Sequence, residues 1–370
     1  MSGDDWDPPT PRGTYNRSRS RMVRRMGWIL AFVAVSIALI VVVYAASRTI
    51  RPIPEVLIVA EGPARLLFGS GFEGSSAILP PVDCWDTGCW QELTGLDSLS
   101  NFSWPPQIWG GGGKFLLLTE PATSSAADIG SRMFNRLETV AGPRGNQSRS
   151  LYQEITRNVN GTGPMGNSSE QNEFQFLPQG ETSDLYVSYW LKLQPDLVQK
   201  MNKLPPAPGV NHGGTWRGIF AFKTGGQTAW GGPANDGDYR VEAYVMTYGG
   251  GEPYWAILGD NNAGGGAPLT NNFNIENRNI PVPVGEWFKL EFFWHRSNGS
   301  DGRVWMAANG QVIADRRGPN MGAWNLPINR IIAPMLYTGS AMPVYQWVDD
   351  LEIWDGFPPA TGNNPPYAAH

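Results

Sequence analysis

Residues Leu185–Leu193 read LYVSYWLKL, and this stretch decides the fold class because its side chains alternate in character. Every second residue is apolar, and these residues share one face of an extended chain: Leu185, Val187, Tyr189, Leu191 and Leu193. The positions between them carry a different set: Tyr186, Ser188, Trp190 and Lys192. A period of two is that of a β-strand with one buried face. The stretch therefore predicts a strand that packs one face on a core and presents aromatic and polar groups on the other.

The same period recurs further along the chain, in residues 238–248 (DYRVEAYVMTY) and 287–295 (WFKLEFFWH). The Asn-Gly pair at 309–310 lies between two further strand-like runs and is typical of a two-residue hairpin turn. A closing strand follows at 346–354 (QWVDDLEIW), and 45 Gly and 31 Pro supply turns. We therefore predict an all-β fold, a two-sheet jelly-roll sandwich over residues 68–357.

The N-terminal part of the chain has a different composition. Residues 27–46 read GWILAFVAVSIALIVVVYAA, an uncharged run whose length of about 20 residues fits a bilayer core. The preceding residues 1–26 are rich in Arg, which favours a cytoplasmic N-terminus. A cleaved signal peptide, with Val43 and Ala45 at the cleavage site, is the alternative, although its apolar region usually spans only about 7–15 residues. We predict a single-pass membrane protein made of a cytoplasmic tail (1–26), a transmembrane signal anchor (27–46), a stalk (47–67), the extracytoplasmic jelly roll (68–357) and a Pro-rich tail (358–370).

The chain has two cysteines, Cys84 and Cys89. On the exported side of a membrane two nearby thiols become oxidised, and closing so short a loop stabilises the fold by roughly 2 kcal/mol. A zinc site needs about four N or S ligands, and the chain has no C-x-x-C or H-E-x-x-H motif. We therefore predict a structural disulfide.

Charge narrows the choice of partner. Residues 1–26 carry six Arg and three Asp, a net +3, so the remainder carries −8 of the total −5. An acidic exported domain disfavours nucleic acid as a partner. The membrane, through residues 27–46, and a glycan are the partners that we expect.

Three stretches carry a resemblance to a known family: SDLYVSYWLKLQPDLVQKMNKLPP (183–206), GEWFKLEFFWHRSNGSDGRVWMAANGQVIAD (285–315) and YQWVDDLEIWDG (345–356). Together they resemble the concanavalin A-like jelly rolls and, within these, the family 14 polysaccharide lyases that act on alginate or glucuronan. The resemblance covers roughly residues 180–356. It implies cleavage of a uronic-acid polymer by β-elimination and no required cofactor.

The resemblance also implies catalytic residues. Lys203 occupies the place of a lysine that follows the acidic turn, and Arg240 matches an arginine on the next inner strand. Tyr254 matches one of two tyrosines that act as acid and base, whereas Ala256 stands where the second is expected. Tyr244 and Tyr248 are our candidates for that missing role, and we assign Tyr244 to the catalytic set. β-Elimination needs these residue types because a cation or donor must stabilise the carboxylate while a base removes the neighbouring proton.

The remaining candidates come from the outward faces of the predicted strands. We expect aromatic rings and polar groups on these faces to form one sugar-binding groove, with the substrate-binding residues Tyr186, Trp190, Lys192, Glu242, Tyr248 and Lys289. An alternative is that Arg240 and Glu242 are a cross-strand ion pair and that the aromatic residues only cover a sheet. Asp349 resembles the closing-strand aspartate that holds structural calcium in several jelly rolls, so calcium is a candidate cofactor.

Two classes of function follow. The first is a membrane-anchored polysaccharide lyase, and the second is a non-catalytic glycan-binding or surface-structural module. Hydrolysis by two paired carboxylates is disfavoured because the E-x-D-x-x-E pattern of related jelly-roll glucanases is absent.

Overall fold

The computed structural model describes residues 64–84, 88–105, 113–119, 129–157, 170–176, 183–202, 214–225, 237–260 and 270–358. All of these ranges lie in one compact unit, Val59–His370. The predicted anchor at 27–46 lies outside the described residues. Among the residues that are described, no helix is long and apolar enough to cross a membrane.

The described part of Val59–His370 is built almost entirely from strands. The strands are β1 (Leu66–Ser70), β2 (Ala77–Ile78), β3 (Gly88–Leu96), β4 (Ser103–Trp104), β5 (Lys114–Thr119), β6 (Met133–Ala141), β7 (Gln147–Ile155), β8 (Glu170–Phe176), β9 (Asp184–Leu193), β10 (Trp216–Gly225), β11 (Gly237–Met246), β12 (Tyr254–Asp260), β13 (Phe273–Asn277), β14 (Trp287–His295), β15 (Arg303–Ala308), β16 (Gln311–Arg317), β17 (Ile328–Thr338) and β18 (Val344–Trp354). One short helix, α1 (Leu197–Asn202), follows β9.

The strands form two sheets. An eight-stranded sheet has the order β16-β15-β14-β9-β18-β7-β6, with β1 on β18, and a ten-stranded sheet has the order β13-β12-β11-β10-β17-β8-β5-β3-β2, with β4 on β3. The predicted all-β two-sheet sandwich is confirmed. The successive strands β9 and β10 lie in different sheets, and α1 lies between them in the chain.

The core lies between the sheets and is formed by the alternate apolar residues. Leu185, Val187, Tyr189, Leu191 and Leu193 of β9 are all buried, as the alternation predicts. Across the sandwich, the rings of Phe220 (β10) and Phe292 (β14) stack with centroids 3.9 Å apart and planes 5° apart. Burying a side chain of this size contributes about 1.5–3 kcal/mol, so such pairs hold the sheets face to face.

A seam of buried amides interrupts this apolar core. Asn135 donates to Gln91 (2.8 Å) and to Asn172 (2.9 Å), and Gln346 donates to Gln153 (2.9 Å). Each of these side chains is buried between the sheets. Burying an amide costs free energy unless the amide is hydrogen-bonded. The hydrogen bonds between these amides offset that cost.

Two local predictions are confirmed. Asn309 and Gly310 connect β15 to β16 with φ values of 49° and 74°, the two positive values that a type I′ hairpin requires. Cys84 and Cys89 form a disulfide, with Cα atoms 4.1 Å apart.

Candidate functional site

The predicted site residues divide between two opposite faces of the sandwich. Trp190 and Lys192 lie on the outer face of the eight-stranded sheet, whereas Arg240, Glu242 and Tyr244 lie on the outer face of the ten-stranded sheet. The expectation of a single groove is therefore corrected. Its physical reason is topological, since neighbouring sequence segments enter different sheets and their outward faces point away from each other.

The outer face of the ten-stranded sheet carries a line of charges across four adjacent strands. Asp260 of β12 lies opposite Arg240 of β11, which lies opposite Lys223 of β10, which in turn lies opposite Arg330 of β17. Adjacent strands are about 4.8 Å apart, so the three cations fall within a span of about 10 Å. We call this line, together with Glu173, Glu242 and Tyr244 beside it, the charged face.

Glu242 is the centre of the charged face. Its carboxylate accepts a hydrogen bond of 2.6 Å from the hydroxyl of Tyr244. It also lies 3.2 Å from an Arg240 guanidinium nitrogen and 3.9 Å from Lys223 Nζ. The side chain is only 1 % exposed, so these three contacts replace water as the partners of its charge.

The hydrogen bond to Glu242 affects the ionisation of Tyr244. Burial, followed by the negative charge of Glu242 and the hydrogen bond to it, raises the pKa of Tyr244 well above its ordinary value. Tyr244 is therefore protonated at neutral pH. Glu242 accepts the hydrogen bond from the Tyr244 hydroxyl, so its carboxylate is the group that can receive the tyrosine proton.

Arg240 is held from two sides. It donates two hydrogen bonds to Asp260, of 2.6 and 3.1 Å, in addition to its contact with Glu242. Burial alone would lower the pKa of Arg240, but the bond to Asp260 and the charge of Glu242 outweigh burial and raise it. The guanidinium is thus a fixed positive charge whose orientation is set by Asp260.

Glu173 of β8 adds a second buried carboxyl group. Burial raises the pKa of Glu173, against the opposing effects of Lys223, the Gln175 amide and Arg330. Gln175 Nε2 donates to it over 2.7 Å. The same face therefore holds one carboxyl group biased towards its neutral form and one, Glu242, that contacts two cations.

An aromatic and apolar surface borders the charges. Trp216 packs against Tyr337, with ring centroids 4.4 Å apart, and against Tyr244 at 5.9 Å. A side chain at Gly218 would lie 3.0 Å from the methyl group of Met335. Because Gly218 has no side chain, the middle of this surface is recessed. A sugar ring can stack on the aromatic rings beside it.

The other two candidate tyrosines lie near the same edge of the sheet. Tyr254 is buried on β12, with the Arg278 guanidinium 3.5 Å from its ring centroid. Burial and the charge of Tyr254 raise the pKa of Tyr248. Lys203 lies outside the described residues. The catalytic roles of Lys203, Arg240, Tyr244 and Tyr254 stay predictions.

The candidates on the eight-stranded sheet have varied surroundings. Tyr186 is 1 % exposed, and its ring lies 5.4 Å from that of Phe357, so a sugar could reach it only if Phe357 moved. Lys289 lies 3.8 Å from Glu291. Trp190 and Lys192 are partly exposed on the same face.

Asp349, the calcium candidate, is buried and accepts hydrogen bonds from the hydroxyls of Ser148 and Ser150. Burial and the neighbouring charge of Asp350 raise the pKa of Asp349 to about 7. Across the described ranges, no three His, Cys, Asp or Glu side chains are grouped so as to hold a metal. Calcium binding at Asp349 stays a prediction.

Sequence reasoning missed Lys223, Glu173, Gln175 and Arg330. Each occupies an outward position in a strand of period two, in the stretches GIFAFKTG, EQNEFQF and INRIIAPM. That alternation could have marked them as surface residues. Only the order of the strands brings them together, because β8, β17 and β10 are neighbours in the sheet and distant in sequence.

No family model and no curated protein matches the chain. Among solved structures it is similar to an endo-β-1,4-glucuronan lyase from the fungus Trichoderma reesei, with 10 % identity, a TM-score of 0.38 and coverage of 59 % of this chain and 86 % of that one. It is also similar to a marine family 14 alginate lyase from Aplysia kurodai, with 10 % identity, a TM-score of 0.33 and coverage of 60 % and 87 %. A third similar structure is domain 4 of an extracellular arabinanase from Geobacillus stearothermophilus in complex with arabinotriose, with 14 % identity, a TM-score of 0.35 and coverage of 80 % and 94 %. Similarity at this level does not identify a substrate for this chain.

Proposed function

We propose that this protein is a membrane-anchored, extracytoplasmic polysaccharide lyase whose charged face binds and cleaves a uronic-acid polymer by β-elimination. The observation that carries the proposal is the line of Arg240, Lys223 and Arg330 beside the Tyr244–Glu242 pair. A row of cations across a sheet matches a polymer with one carboxylate per sugar. A buried tyrosine bonded to a carboxylate supplies a route for a proton.

The chemistry divides among these residues. A cation of the line pairs with the sugar carboxylate and stabilises the negative charge that develops when the adjacent C5 proton leaves. Tyr244 Oη takes the C5 proton while its own proton passes to Glu242 over the 2.6 Å bond. The electron pair of the C5–H bond forms the C4–C5 double bond, and the C4–O bond breaks. Lys223, whose Nζ lies 3.9 Å from Glu242, is the proposed donor of a proton to the departing oxygen, and Lys203 stays a further predicted participant.

Glycan binding without cleavage is the second candidate function. It is favoured by the two carboxylates that already contact Arg240, because an arginine neutralised in this way is a weaker partner for a sugar carboxylate. Ala256, which stands where a second tyrosine is expected, also favours binding without cleavage. In this case the charged face would bind a polymer and leave it intact.

The test is to incubate the purified full-length chain with polyglucuronate and with alginate, and to record ultraviolet absorbance. β-Elimination produces a double bond conjugated to the carboxylate, which absorbs, whereas hydrolysis produces only new reducing ends. Tyr244→Phe and Lys223→Ala should each reduce the absorbance rate by about 10²-fold or more. Trp324→Ala, at an exposed tryptophan, is the control for unspecific effects. Binding with no absorbance would favour the non-catalytic function, and new reducing ends without absorbance would implicate Glu173 and Glu242 as a hydrolytic pair.

A further inference from the structure

A second group of aromatic residues lies on the opposite side of the sandwich, around Lys192. Lys192 of β9 lies opposite Trp347 of β18 on one side and opposite Trp287 of β14 on the other. Trp190 is two residues away on the same strand and therefore on the same face. All three indoles are partly exposed. We call this surface the tryptophan platform: Lys192, Trp190, Trp287 and Trp347.

The charge of Lys192 distinguishes the platform from an ordinary sheet surface. Its Nζ lies 5.4 Å from the ring centroid of Trp347. No carboxylate lies within ion-pair distance of this Nζ in the part of the chain that the structure describes, whereas nearby Lys289 and Arg136 contact Glu291 and Glu138. Among the described residues, the platform therefore has a cation between two indoles that no carboxylate pairs with.

The polar edges of two of the three indoles, those of Trp347 and Trp287, are fixed by the protein. Trp347 Nε1 donates to Glu138 over 2.8 Å, and Trp287 Nε1 donates to the carbonyl of Ala141 over 2.8 Å. These bonds fix the rings on the sheet and reduce the conformational entropy that a ligand would have to remove. The platform is pre-organised.

The tip of the β6–β7 hairpin borders the platform on one side. Ala141 at the end of β6 contacts Trp287, and Arg144 pairs with Asp350 of β18 at 2.8 Å. The hairpin tip thus reaches across the sheet from its edge strands to β18 and β14. On the other side Tyr345 extends the aromatic surface, with its ring 5.3 Å from that of Trp347.

The composition of the platform discriminates between classes of ligand. Centres of protein–protein interfaces are depleted in Lys and Glu, yet here Lys192 lies in the middle and Glu138 is bonded to Trp347. Half-exposed rings with interspersed charged groups suit sugars, whose apolar ring faces stack and whose polar edges form hydrogen bonds. The uncompensated ammonium selects an anionic sugar.

We propose that the tryptophan platform is a second, non-catalytic binding surface for a chain of uronic-acid sugars. Sugar rings stack on Trp347 and Trp287, and a sugar carboxylate pairs with Lys192. The ligand class rests on the proposed function, but the surface is separate from the charged face because the two lie on opposite sides of the sandwich. The protein can then hold one segment of polymer while another lies on the charged face.

The test is retention of the full-length chain in affinity electrophoresis through gels that contain polyglucuronate, alginate or a neutral glucan. Tyr244→Phe is included in every gel so that cleavage does not obscure binding. In this background we expect Trp347→Ala and Lys192→Gln each to weaken retention by the acidic polymers about tenfold. Lys192→Arg should restore it, and Trp324→Ala should have no effect.

Trp347→Phe keeps an aromatic ring in place and covers the case in which Trp347→Ala does not fold. Retention unchanged in Lys192→Gln, and in Trp347→Ala where that variant folds, would overturn the proposal, and equal retention by the neutral glucan would overturn its uronic-acid part. Platform-dependent retention in a protein that never cleaves would refute the proposed lyase activity and leave this inference standing.

Discussion

The hydroxyl of Tyr244 donates a hydrogen bond of 2.6 Å to the carboxylate of Glu242, two residues earlier on the same strand and on the same face. The pair is buried, so the bond competes with little water. Glu242 in turn contacts Arg240 and Lys223. A proton acceptor, a proton donor and two cations are thereby brought together on adjacent strands of one sheet.

In the proposed β-elimination, Glu242 is as necessary as Tyr244 because it receives the tyrosine proton. Glu242→Gln keeps the shape but removes the group that accepts the tyrosine proton, so we expect the rate of unsaturated-product formation to fall by about 10²-fold or more. Ultraviolet absorbance with polyglucuronate measures the effect. Glu286→Gln, an exposed change just before β14 of the other sheet, is the matched control. A rate in Glu242→Gln equal to that of the control would exclude the proton relay.

Substitution of Asp260 tests whether Arg240 binds the substrate, because it should increase the affinity for a uronate polymer. Asp260→Asn removes one of the two carboxylates that Arg240 contacts and leaves the charged face one unit more positive. If Arg240 binds the sugar carboxylate, the KM for a uronate polymer should decrease roughly two- to fivefold, a range expected for a partly exposed ion pair. Steady-state kinetics, or binding in the inactive Tyr244→Phe background, gives the value.

The control for this change is Asp315→Asn, which breaks a comparable pair of Arg303 with Asp315 (2.8 Å) on the other sheet. It should leave KM unchanged. A higher KM for Asp260→Asn would mean that Asp260 is needed to orient Arg240 and that neutralisation of Arg240 is not what limits binding.

Strands with a strict period of two could be predicted from the sequence. β14 has the predicted bounds, and β9 and β11 differ by only one or two residues, because each buries an unbroken alternate series against the opposite sheet. The Asn309–Gly310 turn could be predicted as well, since few residue pairs accept two positive φ values.

The composition of the charged face could not be predicted in the same way. Lys223, Arg330 and Glu173 meet because β10, β17 and β8 are adjacent, and no local pattern in the sequence encodes that order. The buried amides of the interior could not be predicted either. Gln153 and Gln346 occupy inward strand positions at which a hydrophobic pattern predicts apolar residues. Their partners come from other strands, so only the folded arrangement explains them.

The predicted membrane topology of the chain can be tested separately. We expect residues 27–46 to anchor the protein with the C-terminal domain outside, because the uncharged run is long enough to span a bilayer and the Arg-rich segment precedes it. Protease added to intact cells should degrade a C-terminal tag and spare an N-terminal one. Protection of both tags would refute export, and release of the domain into the medium would favour the cleaved signal peptide.

The last prediction concerns the pH dependence of stability and rests on His295 at the end of β14. Its Nδ1 is hydrogen-bonded to Asp184 at the start of β9, and its Nε2 lies 3.4 Å from Asp301. The hydrogen bond to Asp184 raises the pKa of His295 above 6.5, although burial opposes the shift. A histidine whose pKa is raised by folding stabilises the protein fully below the unfolded value of 6.5, and this contribution is lost as pH rises through the folded value.

The free energy of unfolding of the wild type should therefore exceed that of His295→Gln most below about pH 6.5, and the difference should shrink at higher pH. Urea unfolding at a series of pH values measures both proteins. Asp349, whose pKa is raised to about 7, titrates in the same range but is present in both proteins, so the difference isolates His295. Asp184→Asn removes the main cause of the shift and should flatten the dependence as well. Parallel curves for wild type and His295→Gln, or a difference that grows with pH, would show that this histidine is not protonated preferentially in the folded state.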